Sequence, residues 1–171
     1  MARTLAEGRL KWTVLTAAPA DPAAPTAAEL NAGFDLSCDV LAADFSWTNT
    51  ASDTVDEKAL CTVGNSTVFG ASNYDLGATL WRQFDPETGA AAQVESEEAW
   101  LALREKGTTV WAYARETSKL STEDWAATDE IYLGGEVITD AAQRIDGTGF
   151  IKRRIALGAQ RMYENIQVAA A

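Results

Sequence analysis

GRLKWTVLT, residues 8–16, sets the frame for the chain. Leu10, Trp12 and Val14 alternate with Arg9, Lys11 and Thr13. That two-residue period belongs to a strand with one face in a core and one in water. The next stretch, AAPADPAAPTAA at residues 17–28, carries Pro19, Pro22 and Pro25. Proline lacks the N–H a central ladder needs, so this segment cannot pair there. It favours an extended, polyproline-like course and reads as a flexible arm or long loop. Thr26 and Glu29 then stand at capping-box spacing for a short helix, with Gly33 placed to end it.

Moving outward, strands are expected at residues 44–49, 52–63, 73–84, 108–115, 130–139 and 150–157. Asp85-Pro86-Glu87-Thr88-Gly89 and Asp146-Gly147-Thr148-Gly149 are turns by composition, and residues 121–124 form a capped turn. Gly134-Gly135 is placed to bend or bulge its strand. One main helix is predicted over 96–106, with Ser96 as N-cap, Glu97 and Glu98 in the first turn and Arg104 and Lys106 in the last. Gly107 closes it. Residues 161–171 read as a tail. With roughly six to eight strands, the chain is mainly β with one principal α-helix, a β-sandwich or barrel. A single domain over 1–171 is expected, with residues 17–28 as an arm and 158–171 as a C-terminal extension.

Charge and residue usage exclude several functions. The net charge is −11, from 25 acidic and 14 basic residues. Such a chain does not wrap nucleic acid through phosphate contacts, which need clustered Lys and Arg. The balance is uneven: 9 basic against 23 acidic residues through Asp140, then 5 against 2. Opposite poles on one chain suit head-to-tail assembly, and a solvated face gives the same pattern. No histidine is present, which removes His-based nucleophilic triads and metal sites. Cys38 and Cys61 do not form a CxxC pair. They read as two buried free thiols, and a reducing cytoplasm disfavours their disulfide. No apolar run approaches the ~20 residues of a membrane span, and residues 1–7 lack a signal-peptide core.

Catalytic and cofactor sites are not expected. The acidic pairs Asp56/Glu57, Glu97/Glu98, Glu123/Asp124 and Asp129/Glu130 are sequence neighbours. Neighbours on a strand point to opposite faces and cannot share a substrate. Neither a calcium loop nor a phosphate-binding glycine frame occurs. The six tryptophans are scattered and read as core or subunit-interface packing.

An ordered series of segments carries a resemblance. RLKWTVL is followed by the Pro/Ala arm, then PTAAELNAGFDLS at residues 25–37 and DFSW at 44–47. SDTVDEKALC at 52–61, the strand from Tyr74 to Arg82 and the single helix come next. In this order the chain resembles the major tail (tail tube) proteins of long-tailed, non-contractile bacteriophages of actinobacterial hosts. The resemblance implies a tail-tube β-sandwich that forms hexameric rings stacked into a hollow tube. Genomic DNA would pass through without specific binding. The implied partners are other copies of the chain and tail proteins such as the tape measure and tail terminator, with no membrane. The implied location is the virion tail, after assembly in the host cytoplasm. The alternatives are a head-tail completion or capsid decoration protein, or a carbohydrate-binding sandwich. Within the tube reading, Asp53, Asp56 and Glu57 are expected to make the lumen acidic. Lys152, Arg153 and Arg154 are expected to meet an acidic surface on the next subunit.

Overall fold

The computed structural model describes residues 3–61, 63–64, 66–145 and 147–170. Strands β1 (Leu10–Leu15), β7 (Thr109–Glu116) and β8 (Glu130–Thr139) pair in that order, with β2 (Phe34–Asp35) on the edge of β1. Strands β3 (Ser46–Thr50) and β6 (Asn73–Trp81) make the second half. Strand β10 (Lys152–Gln167) joins them. Its residues 152–156 pair with β6, and its residues 157–167 pair with β8. The short β9 (Gln143–Arg144) pairs with β10. All these ladders are antiparallel, and the result is a sandwich-like, mostly β protein.

One core lies between the two halves. Trp12 and Val14 of β1, Trp47 of β3, Leu76 and Leu80 of β6 and Leu133 and Val137 of β8 are all buried in it. The Trp12 and Trp47 rings approach to 5.7 Å, and the Trp47 indole N–H donates to the Leu133 carbonyl at 3.0 Å. That bond satisfies the one polar atom of a large apolar side chain. Helix α2 (Glu95–Leu103) adds Ala99, Trp100 and Leu103 to the same core. A second cluster of Leu15, Leu30, Tyr113, Trp125, Ile131 and Val168 covers the other face of β1, β7 and β8.

This second layer corrects the half-wet reading of β1. Lys11 and Thr13 are 3% and 1% exposed. The Lys11 ammonium bonds the Asp35 carboxylate, and the Thr13 hydroxyl accepts the Trp125 indole N–H at 2.8 Å. Both polar groups are therefore buried with partners. The Pro/Ala segment lies along the same layer. Ala20 N–H donates to Glu29 Oε1 at 2.7 Å, Tyr113 O–H to the Pro22 carbonyl at 3.1 Å and Ala169 N–H to the Pro25 carbonyl at 2.9 Å. Both bonds of the expected capping box are present at helix α1 (Ala27–Asn31).

Other elements differ from the sequence reading. The strand expected at 52–63 is β4 (Thr54–Glu57), which turns back into an unanticipated β5 (Ser66–Phe69). Thr62 of that stretch lies outside the described residues. Helix α2 has Val94 at its N-cap, two residues before the expected Ser96. Ser96 is instead a buried acceptor for Gln83 Nε2 at 3.2 Å. Arg104 and Lys106 fall beyond the last turn, where Lys106 pairs with Asp140 at 3.1 Å. Much of the expected C-terminal extension is strand, because β10 continues to Gln167. Ala171 and the turn residue Asp146 lie outside the described residues. Cys38 and Cys61 are free, as read, but exposed.

The irregularity expected at Gly134-Gly135 sits on the partner strand. The β8–β10 register shifts between Ala159 and Arg161, opposite Val137 and Glu136. The two glycines serve close approach. A Cβ on Gly134 would stand 2.2 Å from Tyr113 Cδ1, and one on Gly135 would stand 2.1 Å from the Arg161 carbonyl oxygen.

A buried ion pair ties the segment after β7. Arg115 has 0% exposure. Its terminal nitrogens donate to Asp129 Oδ2 at 2.8 Å, Asp124 O at 3.0 Å and the Leu120 and Glu123 carbonyls at 2.9 Å. Burial pulls the Asp129 pKa upward. Bonds from the Lys119 ammonium, the Ala126 N–H and Arg115 outweigh it and hold the carboxyl below its ordinary value.

Two predictions follow from these contacts. Gly134→Ala should cost about 1–3 kcal/mol by overpacking against Tyr113, read as a lower urea midpoint. Asp129→Asn should cost about 3–5 kcal/mol at neutral pH, since Arg115 would be left buried without its counter-ion. Because the folded Asp129 pKa is depressed, its stabilisation is present above the unfolded carboxyl value of about 4. It is lost as pH falls through the lower folded value. The gap between wild type and Asp129→Asn should therefore close below about pH 4 in urea titrations.

Candidate functional site

The surface features group into three places: a projecting hairpin, a basic strand end and a free sheet edge. Strands β4 and β5 pair only with each other, apart from the main sheet. All of their residues are exposed. The register sets Thr54 opposite Phe69, Val55 opposite Val68, Asp56 opposite Thr67 and Glu57 opposite Ser66. Directly opposed residues share a face. Asp56 and Phe69 thus lie on one face, and Glu57, Val55 and Val68 on the other. Val68 is 62% and Phe69 76% exposed, which is unusual for apolar residues on a strand.

The residues expected at the lumen are all brought to this hairpin. Asp53 stands at its base, where Oδ1 accepts from Asn73 Nδ2 at 2.9 Å. Asp56 Oδ1 accepts the Thr67 hydroxyl at 2.6 Å. The long wall-forming strand that motivated the expectation is absent, since β4 ends at Glu57 and is wet on both faces.

The residues expected between subunits lie at the start of β10, and they separate. Arg154 is engaged within the chain: Nη1 donates to the Asp44 carbonyl at 2.7 Å and stands 3.3 Å from its carboxylate. A bond from the Thr79 hydroxyl holds Asp44 below its ordinary pKa, against its partial burial, with smaller help from Arg154 and Lys152. Arg153 faces Arg144 of β9 directly. Arg144 was not singled out from the sequence, because its partnership with Arg153 depends on a pairing of strands that local periodicity does not encode.

The sheet edge is the third feature. Past Ala156, β10 has a ladder partner on one side only, β8. Such an edge is a template for another strand unless it is blunted. Here Arg161 and Glu164 are exposed and Asn165 adopts φ 52°, which interrupts a flat edge.

Of the acidic neighbours, Glu97 and Asp129 are held by arginines within the fold. Glu97, 3% exposed, accepts from Arg82 Nε and Nη2 at 2.8–3.0 Å and from Gln83 N–H at 2.6 Å. Arg82 also lies over the Trp100 ring, 4.4 Å from its centroid. This ties α2 to the end of β6 by a bidentate charge-assisted pair. Among the described residues, no group of three His, Cys, Asp or Glu side chains could hold a metal ion. No helix among them is long and apolar enough to cross a membrane.

Glu97, Asp129 and Asp44 are thus tied into the framework of the sandwich, and the hairpin, the basic strand end and the sheet edge lie at its surface. Residues 1–171 match the family model described as phage tail tube protein. The chain belongs to that family, as the segment order had implied. No curated protein matches it.

The hairpin geometry sets an expectation for the isolated subunit. Val68→Ser and Phe69→Ser remove no core contact and should each shift unfolding free energy by less than about 0.5 kcal/mol in urea titrations.

Proposed function

We propose that this chain polymerises as hexameric rings stacked into the hollow tube of a phage tail. In this reading the tube is the conduit for genome ejection, and the protein is a structural element without enzymatic activity. The observation that carries it is the family match over the whole chain. Two features of the subunit support it. The stretch of β10 from Leu157 to Glu164, ahead of the interruption at Asn165, leaves one side of its ladder for a neighbour around a ring. The exposed, partly apolar hairpin offers a projection toward another copy.

The partners are other copies of the chain, together with tail components such as the tape measure and tail terminator. Assembly takes place in the host cytoplasm and the product is the virion tail. The likeness to phages of actinobacterial hosts rests on the order of sequence segments and is part of this reading. Asp53, Asp56 and Glu57 have two places in it, the lumen or a neighbouring subunit. Their position on a hairpin apart from the main sheet favours the neighbour. The lumen then takes its negative potential from the overall charge of −11 per subunit.

Electron microscopy tests the reading directly. Purified chain at raised concentration, and tails from phage particles, should show tubes with sixfold rings. Closed shells containing this protein, or a monomer at every concentration together with its absence from tails, would overturn it.

A further inference from the structure

Arg144 and Arg153 are directly opposed on β9 and β10. Like charges in this register repel each other. Among the described residues, neither has a carboxylate oxygen within 4.0 Å. Arg153 Nη1 donates only to the carbonyl of its neighbour Lys152, at 2.9 Å. Lys152 reaches the Thr148 carbonyl at 3.4 Å. These side chains border a shallow depression of about 260 Å³, which Phe150 and Ile151 also line. Phe150 is 79% and Ile151 54% exposed. An arginine pair without a carboxylate partner among the described residues, beside exposed apolar side chains, in a chain of net charge −11, suits an anionic and partly apolar partner.

The same chain carries such a partner. The β4–β5 hairpin presents Asp56 beside Phe69 on one face and Glu57 beside Val55 and Val68 on the other. Lys58 is the one cation beside them in the stretch 53–58, so acid prevails there. The hairpin pairs with no other strand of its own subunit. Two different patches that complement each other on identical subunits form a heterologous contact, which closes into a ring or repeats as an open stack according to its rotation.

We infer that the Arg144–Arg153 pair, with Lys152 and the Phe150–Ile151 rim, is the docking site for the β4–β5 hairpin of a second copy of this chain. The inference rests on the tube reading and names the contact within it. Arg154 takes no part, being held by Asp44. The complementary charges orient the hairpin and speed encounter, while the apolar side chains supply the contact that desolvates them.

Charge exchange in the full-length chain tests this. R144E/R153E and D56K/E57K should each fold, since Arg144, Asp56 and Glu57 are exposed and the half-buried Arg153 bonds only a backbone carbonyl, as checked by thermal melting. Alone, each should assemble roughly tenfold more slowly than wild type at low salt, by light scattering. Raising salt should narrow the difference. Mixed together, the two variants should co-assemble, because each supplies the patch that the other's hairpin now needs. The chain carrying all four changes should assemble alone. If R144E/R153E does not fold, R144Q/R153Q removes the charges without reversing them and should slow assembly in the same direction. Wild-type tubes with unchanged kinetics in every variant would overturn this contact and leave the tube reading standing. A wild-type chain that forms no tubes, in solution or in phage tails, would overturn both. Duplex DNA bound by wild type and released by R144E/R153E, with assembly unchanged, would overturn the inference and reassign the patch to nucleic acid.

Discussion

The structure depends on one strand having its ladder groups paired in two directions. Strand β10 begins against β6 and continues against β8, so a single backbone crosses between the two halves of the sandwich. A strand passing from one sheet to another must bend, and the register shift at Gln160 follows soon after the change of partner. The glycines of β8 answer the same need. They let the Arg161 carbonyl and the Tyr113 ring approach a backbone that any side chain would hold away. Once β10 has set the two halves together, the Trp12–Trp47 contact and the Trp47–Leu133 hydrogen bond fill the space between them.

Two ion pairs extend this frame beyond the sheets. Arg82–Glu97 fixes the helix, and Arg115–Asp129 fixes the long segment after β7. Buried pairs of this kind contribute little net stability compared with apolar replacements. Their geometric demand is strict, however, since each charge would be costly without its partner. Arg82–Glu97 adds to the core contacts of Ala99, Trp100 and Leu103 that already seat the helix, while Arg115–Asp129 and the backbone carbonyls bound by Arg115 hold a segment rich in Ser, Thr, Glu and Asp. The acids of this chain are thus divided between internal partners and the solvent, and the outward share gives the surface its charge.

The sequence made legible those elements whose signal is local. The alternation in residues 8–16, the Thr26–Glu29 capping box and the Asp85 turn depend on neighbours within a few positions, and each is present. Long-range consequences were not legible. Lys11 and Thr13 have the polarity of a wet face, and only a second layer brought from residues 30 and 125 buries them. Residues 52–63 alternate like one strand, yet the chain turns after Glu57, where no core holds it straight. Residues 161–167 looked like a tail because their apolar residues are sparse, and β8 supplies the pairing that makes them strand. At the candidate site, the basic cluster at 152–154 was visible as a run. Its division into Arg154, held internally, and Arg153, facing Arg144, required the fold.

The detached hairpin has a kinetic consequence. A two-stranded ribbon without a core behind it is marginal in water, so fixing its backbone costs conformational entropy that its own ladder barely offsets. A contact that immobilises it must supply that free energy first. In the proposed assembly, growth would therefore have a concentration threshold, below which a subunit stays dispersed and above which each arrival finds a surface already shaped. A lag before growth, and its removal by preformed seeds, would be the natural behaviour of a subunit joined through so weakly held a ribbon.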